Sequence, residues 1–261
     1  METVTSRDRT AIAFERIGEG PPVILVCGGS VDRMADAGLA HALAPDFTVL
    51  NYDRRGRGDS GDTPPYAIER EVEDIEAMID AAGGSAHLWG SSSGAALALI
   101  AAANGLPITK LALWEPPYIP EGFPKPPADQ VQQYETMVAE GRRGDAVEFF
   151  MSKVVGMPDE FVAGAKTEPW WGATEALAHT LAYDARIMAD YDVPTDRAAN
   201  VKVPTLVVAG TQIPWMQQTA RTLADAIPDG RVRILEGQGH DVDLSVLARY
   251  SRRSSRSEER P

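Results

Sequence analysis

Apolar positions along this chain follow two alternating patterns. Short apolar runs bounded by turn residues, at Val23–Cys27, Phe47–Tyr52, His87–Trp89, Leu111–Trp114, Thr205–Ala209 and Val232–Leu235, read as buried strands, and Thr10–Ile17 adds one at the N-terminal edge. Between them, Asp32–Leu43, Ile68–Ala82, Ser93–Ala103, Met216–Ile227 and Val242–Tyr250 carry apolar residues near the helical period. Strands alternating with helices predict an α/β fold, a mostly parallel, doubly wound sheet with helices on both faces.

The alternation breaks once, between Glu115 and Val203. A structureless loop of that length is improbable inside a compact domain, so the segment predicts a helical insertion. It opens with a proline-dense stretch, Pro116 to Pro127, whose fixed φ angles predict an extended, stiff chain. Helices follow over Asp129–Glu140, Asp145–Val155, Asp159–Ala165 and Thr174–Asp190. The expected organisation is a core of residues 1–115 and 201–251, an inserted helical cap over 116–200, and a disordered tail over 252–261.

Length and charge narrow the function. A chain of 261 residues buries a sizeable core as one α/β unit, and a formal charge of −13 repels nucleic acid and anionic membranes. The four arginines and two glutamates of 252–261 make the rest of the chain more acidic still. No stretch reaches transmembrane length and the N-terminus carries no apolar signal region, so a cytoplasmic protein is expected. One cysteine, Cys27, precludes an intrachain disulfide and any cysteine-based zinc cluster; at the end of an apolar strand it reads as a small buried hydrophobe. No metal and no cofactor is expected.

The chemistry centres on Gly90-Ser91-Ser92-Ser93-Gly94, placed between a strand and the Ala/Leu-rich helix that begins at Ser93. A Gly-x-Ser-x-Gly turn in that setting is a nucleophile elbow, sharp enough that larger side chains at the flanking positions would strike the sheet. Ser92 is the serine in register. A serine hydroxyl needs a base, usually a histidine held by a carboxylate. Four histidines compete. His240 follows Leu235-Glu236-Gly237-Gln238-Gly239 at the end of the last strand, while His87 falls in a strand and His41 and His179 in helices, where structural roles are expected.

Together the elbow, the Asp53-Arg54-Arg55-Gly56-Arg57-Gly58-Asp59-Ser60 segment and the His240 loop resemble the α/β-hydrolase fold superfamily over nearly the whole chain, with a helical cap inserted late in the usual sheet. The resemblance implies Ser92 as nucleophile and His240 as base. It implies an oxyanion hole made by the backbone N–H of Ser93 and by Gly29, in a Cys27-Gly28-Gly29 stretch where Cys27 replaces the usual histidine; an ordinary strand-to-helix turn remains the other reading of Gly29. Arg54 and Arg57 read as scaffold, with a substrate role as the alternative.

The acid departs from the family pattern. After Leu206-Val207-Val208-Ala209 the superfamily usually places Gly-x-x-Asp, and here stands Gly210-Thr211-Gln212-Ile213. Glu115 supplies a carboxylate at the end of the preceding strand, a place matching that of the acid in one subclass of haloalkane dehalogenases, and residues just past strand C-termini converge on one crevice. Glu115 is therefore the candidate acid, capping a loop or pairing an arginine being its other reading; Asp241 and Asp243 are weaker candidates.

Trp170, Trp171, Trp215 and Tyr118 either line a substrate pocket or hold the cap to the core. No basic cluster in the cap awaits a phosphate or coenzyme A. The leading expectation is a serine hydrolase acting on a small-molecule carboxylic ester, thioester or lactone, apolar or aromatic in part. Carbon–carbon bond hydrolysis on the same fold and a non-catalytic ligand-binding protein are the alternatives. Dehalogenation and epoxide opening are disfavoured, because the branches of the superfamily that resemble this chain and carry out those reactions have an aspartate nucleophile, and the elbow here carries Ser92.

Overall fold

In a computed structural model, residues 1–241 are described, and their eight strands form one sheet. The strands are β1 (Glu2–Thr5), β2 (Ala11–Ile17), β3 (Pro22–Val26), β4 (Thr48–Tyr52), β5 (Ala86–Ser91), β6 (Ile108–Trp114), β7 (Thr205–Gly210) and β8 (Gly230–Leu235), in spatial order β1-β2-β4-β3-β5-β6-β7-β8. From β4 to β8 every neighbouring pair is parallel; β1 and β2 run antiparallel at one edge. The chain winds outward in one direction from β3 to β4 and in the other from β5 to β8. The crevice at that reversal, beyond the carboxyl ends of β3 and β5, is where such sheets bind ligands.

Alternation along the central strands sorts their side chains onto two faces. Ile24 and Val26 of β3, Leu113 of β6 and Val207 and Ala209 of β7 pack in the larger core with α2 (Ile68–Ala81), α3 (Ser93–Ala103) and α10 (Pro214–Ala226). Val23, Leu25, Trp114 and Val208 face the other way, against Leu39, Ala40 and Leu43 of α1 (Ala37–Leu43). Helix α3 is apolar on every side because ten of its residues are buried between the sheet and its neighbours.

The insertion between β6 and β7 is helical: α4 (Gln130–Ala139), α5 (Arg143–Phe149), α6 (Asp159–Ala165), α7 (Trp171–Ala176), α8 (Leu181–Met188) and α9 (Thr195–Ala198). It has an apolar cluster of its own, including Tyr134, Val147, Met151, Trp171, Leu181 and Ala185. Helix α8 rests on the core. There Tyr183 stacks on Tyr66 with ring centroids 3.9 Å apart and donates to Asp62 Oδ2 at 2.8 Å.

The short α9 is absent from the sequence reading, and four further elements differ from it. β1 was not expected, because Glu2-Thr3-Val4-Thr5 offers a single apolar residue; it forms by pairing with β2, with Val4 against the core. The helix expected over 32–43 begins as a 3₁₀ turn, Arg33–Asp36, capped by Asp32 accepting from the Met34 N–H. The segment over 145–155 closes in a π-helical turn, Phe150–Val154. The span 174–190 is broken at Leu177 (φ −95°, ψ 0°), whose carbonyl accepts the Thr180 hydroxyl at 2.8 Å, and a 3₁₀ turn, Ala178–Thr180, leads into α8. The helix expected at Val242–Tyr250, Asp243 and the tail over 252–261 lie outside the described residues. Among the described residues no helix is long and apolar enough to cross a membrane.

Candidate active site

Ser92 joins β5 to α3 with φ 54° and ψ −127°, a conformation that costs a non-glycine residue on the order of 1–3 kcal/mol and survives only where its surroundings enforce it. Those surroundings are the two flanking glycines. A Cβ on Gly90 would sit 2.6 Å from the Gly94 carbonyl, and one on Gly94 would collide with the carbonyl oxygens of Val26 and Cys27. The helix can thus press onto β3 and β5 and hold the serine out of the sheet. The Ser92 N–H donates to the Trp114 carbonyl at 2.9 Å, tying the elbow to the end of β6. The N–H of Ser93, at the start of α3, is one of the four that a helix leaves without an intrahelical acceptor, and the helix dipole favours negative charge there.

Glu115 follows directly on β6, and the structure brings it to His240: Nδ1 of the imidazole lies 2.8 Å from Oε2. The other carboxylate oxygen accepts the Gly210 N–H at 2.8 Å, and the Glu115 N–H donates to the Val208 carbonyl at 2.9 Å. Glu115 is buried and adopts φ 41°, so the turn that points its side chain along the sheet edge is itself strained. With a carboxylate accepting at Nδ1, the neutral ring carries its proton there and keeps its lone pair on Nε2.

Two supports of His240 were not read from the sequence. The Trp114 indole donates to the His240 carbonyl at 3.0 Å, so consecutive residues of one strand end hold the histidine's backbone and its ring. The loop after β7, which lacks the customary acid, braces the histidine loop instead. Gln212 N–H donates to the Gln238 carbonyl at 3.1 Å, Gln212 Nε2 to the Gly237 carbonyl at 2.9 Å, and the Gly237 N–H to Thr211 Oγ1 at 2.8 Å. Ile213 packs against the main core. An indole one residue before a candidate acid was the available signal for the first support; in the second every contact has a backbone partner, which leaves no mark in a sequence.

Gly28 and Gly29 run beside the elbow. A Cβ on Gly28 would lie 3.1 Å from Ser92 Cβ, and one on Gly29 would lie 3.4 Å from Ser93 Oγ. Cys27 is fully buried, and burial pushes its thiol up to about 12 despite the nearby Arg57 and Arg54. The folded protein should therefore resist iodoacetamide at pH 8 and react at Cys27 only after denaturation, as intact-mass measurement would read; rapid native alkylation would contradict that burial.

The Asp53–Ser60 segment is a hydrogen-bonded turn whose Asp53, Arg54, Arg55 and Arg57 are buried. Asp53 accepts from the Arg33 N–H and the Asp59 N–H, both at 2.8 Å, and pairs with the Arg33 guanidinium. Arg54 makes a two-point contact with Glu71 at 2.8 and 2.9 Å and reaches Asp184 of α8 at 2.8 Å. Arg57 donates to the Gly28 and Val31 carbonyls and, at 2.9 and 2.8 Å, to both oxygens of Asp184. Burial acts to raise the Asp184 and Glu71 carboxyls, and the guanidinium groups overcome it, holding both below the usual carboxylate range.

Of the aromatic candidates, Tyr118 is buried, with its hydroxyl unpaired, and lines a cavity of about 320 Å³ with Ile187–Asp190 and Asp192–Arg197. Trp171 belongs to the insertion's own interior, its indole donating to Glu175 at 2.8 Å, and Trp170 is 43% exposed. Trp215, on α10, packs against the main core. Asp241 is exposed, and the carboxylate that accepts from His240 Nδ1 is that of Glu115. Among the described residues no group of three or more His, Cys, Asp or Glu side chains is placed to hold a metal.

Comparison with known proteins gives a consistent frame. A family model described as the alpha/beta hydrolase family matches residues 23–251. An alpha/beta hydrolase from Sphaerobacter thermophilus DSM 20745 is 52% identical, with a TM-score of 0.89 over 96% of this chain and 100% of that one. The proline iminopeptidase of Lactobacillus helveticus is 25% identical over 250 residues, 85% of this chain and 84% of its own. A thermophilic esterase from Thermogutta terrifontis, solved with malate bound, is similar in fold, with 21% identity, a TM-score of 0.74 and 98% of each chain covered.

Proposed function

The chain belongs to the alpha/beta hydrolase family, and from that premise we propose that it is a serine hydrolase that cleaves a small carboxylic ester, thioester or lactone through an acyl-enzyme. The observation that carries the reading is the 2.8 Å contact of His240 Nδ1 with Glu115, which supplies the carboxylate missing at Ile213. Ser92 Oγ attacks the carbonyl carbon while Nε2 of His240 takes its proton. The imidazolium that forms is stabilised by the buried Glu115 carboxylate. Negative charge gathering on the carbonyl oxygen is met by the N–H groups of Ser93 and Gly29. His240 then protonates the leaving alcohol or thiol, and water, deprotonated by the same ring, releases the acid.

The helical insertion, residues 116–200, serves in this reading as a cap over the carboxyl ends of the strands. The cavity beside Tyr118 is lined by none of Ser92, Ser93, Gly29, Glu115 and His240 and carries Asp190, Asp192, Asp196 and Arg197, so Tyr118 is assigned to the base of the cap rather than to the substrate. Trp170, Trp171 and Trp215 are assigned to the cap and its seating. The name of the Lactobacillus helveticus relative adds peptide bonds to the classes worth assaying, since an amide yields to the same acyl-enzyme chemistry.

A fluorophosphonate probe tests the proposal. Wild type should be labelled at one site, with labelling lost in Ser92→Ala and turnover found on a panel of esters, thioesters, lactones and amides. An unlabelled wild type, or labelling that survives Ser92→Ala, sinks the nucleophile assignment.

A further inference from the structure

Four buried charges lie beside the site and outside the triad: Arg54, Arg57, Glu71 and Asp184. Two guanidinium groups face two carboxylates, so the cluster is balanced in its interior setting. Three members belong to the core, and the fourth, Asp184, is carried in by α8 of the insertion.

Asp184 touches what would form the oxyanion hole on both sides. Its Oδ1 accepts the Ser93 hydroxyl at 2.8 Å, and a Cβ on Gly29 would lie 3.0 Å from its Oδ2. Arg57, gripped by both Asp184 oxygens, donates in turn to the Gly28 carbonyl. In a trans peptide the carbonyl of one residue and the N–H of the next point in opposite directions. Holding the Gly28 carbonyl towards the arginine therefore turns the Gly29 N–H away from it.

We propose that Asp184 is a positioning residue for the oxyanion hole: it fixes Ser93 directly and Gly29 through Arg57, so both N–H donors are aligned only while α8 is seated on the core. This rests on the serine-hydrolase reading. The insertion then does more than cover the substrate, because it supplies the counter-charge that the core arginines need in order to hold the Gly28 carbonyl. Without Asp184, Arg57 loses two of its charge-assisted hydrogen bonds and the cluster carries one excess positive charge in a buried place.

The test pairs two variants on a p-nitrophenyl ester. Ser93→Ala removes one hydroxyl and leaves all four charges paired; it should melt as wild type does and lose kcat about three- to tenfold with KM within about twofold, the signature of an interaction made in the transition state. Asp184→Ala should lose kcat about 10- to 100-fold, short of the roughly 10²- to 10³-fold for deleting an oxyanion donor outright. It also opens a carboxylate-sized hole between Arg54 and Arg57, so formate should restore its kcat saturably while chloride at equal ionic strength does not. Rates are taken per fluorophosphonate-titratable site, which removes unfolded protein from the comparison. Ser93→Ala with kcat within twofold of wild type overturns the proposal, as does a folded Asp184→Ala whose loss formate leaves untouched; if Asp184→Ala does not fold, Ser93→Ala decides. A wild type that neither labels nor turns over any substrate defeats the serine-hydrolase reading itself, a result distinct from both.

Discussion

Glu115→Gln is expected to lower kcat by about 10³- to 10⁴-fold while leaving KM within a few fold. The amide is the same size and can still accept the Gly210 N–H, so the strained turn at Glu115 has no steric reason to relax. What it loses is charge. An amide cannot stabilise the imidazolium that forms as Ser92 gives up its proton, and its NH₂ can face Nδ1 and favour the tautomer with the proton on Nε2, where the base must be free. The measurement is steady-state kinetics with the ester found by panel screening, together with the rate of fluorophosphonate labelling, which should fall in parallel. Ordinary turnover by Glu115→Gln would mean that another group orients His240 and would remove the main support for the proposed triad.

The second large effect concerns stability. Glu71→Ala should destabilise the fold by about 3–5 kcal/mol, because it leaves the fully buried Arg54 with one carboxylate that it must share with Arg57. For a chain of this size that is a fall in melting temperature on the order of 10 °C, readable by calorimetry or thermal circular dichroism. Removing Glu140, the partner of the exposed Arg142, should leave the transition where it was. The pH dependence has a definite sign. Glu71 and Asp184 are held below the carboxylate range, so the unfolded chain binds more protons than the folded one in acid. Their stabilisation is present above about pH 4, the unfolded value, and is lost as pH falls through their folded values. Glu71→Ala should flatten that acid limb, and an unchanged melting temperature would show that the cluster does not hold the fold.

The outline of the fold was legible because buried parallel strands and amphipathic helices write their period into the chain. The run Ser93–Ala103 predicts α3 to the residue, and the β6 run leads straight to Glu115. Glu115 was legible as a candidate because a carboxylate stood at a strand end while Ile213 occupied the usual place; its 2.8 Å contact with His240 joins residues 125 apart, and no local pattern encodes that. The edge strand Glu2–Thr5 escaped because its pairing comes from β2 rather than from its own composition. Asp184 escaped for a related reason. On α8 it looks like any acidic residue on a helix, and it becomes buried only when a turn more than a hundred residues earlier presents Arg54 and Arg57.

Because Glu115 is the last residue before the proline-rich entry to the insertion, the boundary between the two parts of the chain falls one peptide bond past the proposed acid. Chimaeras that exchange insertions among relatives must therefore be spliced after residue 115. A crossover placed a few residues earlier, inside β6, would import the donor's strand end and with it the donor's residues at Trp114 and Glu115, pairing a histidine from one parent with whatever the other parent happens to keep there. On the proposed triad, a relative with its acid in the loop after β7 would survive such a cut, whereas this chain would lose its acid, so exchange at this one junction would be asymmetric.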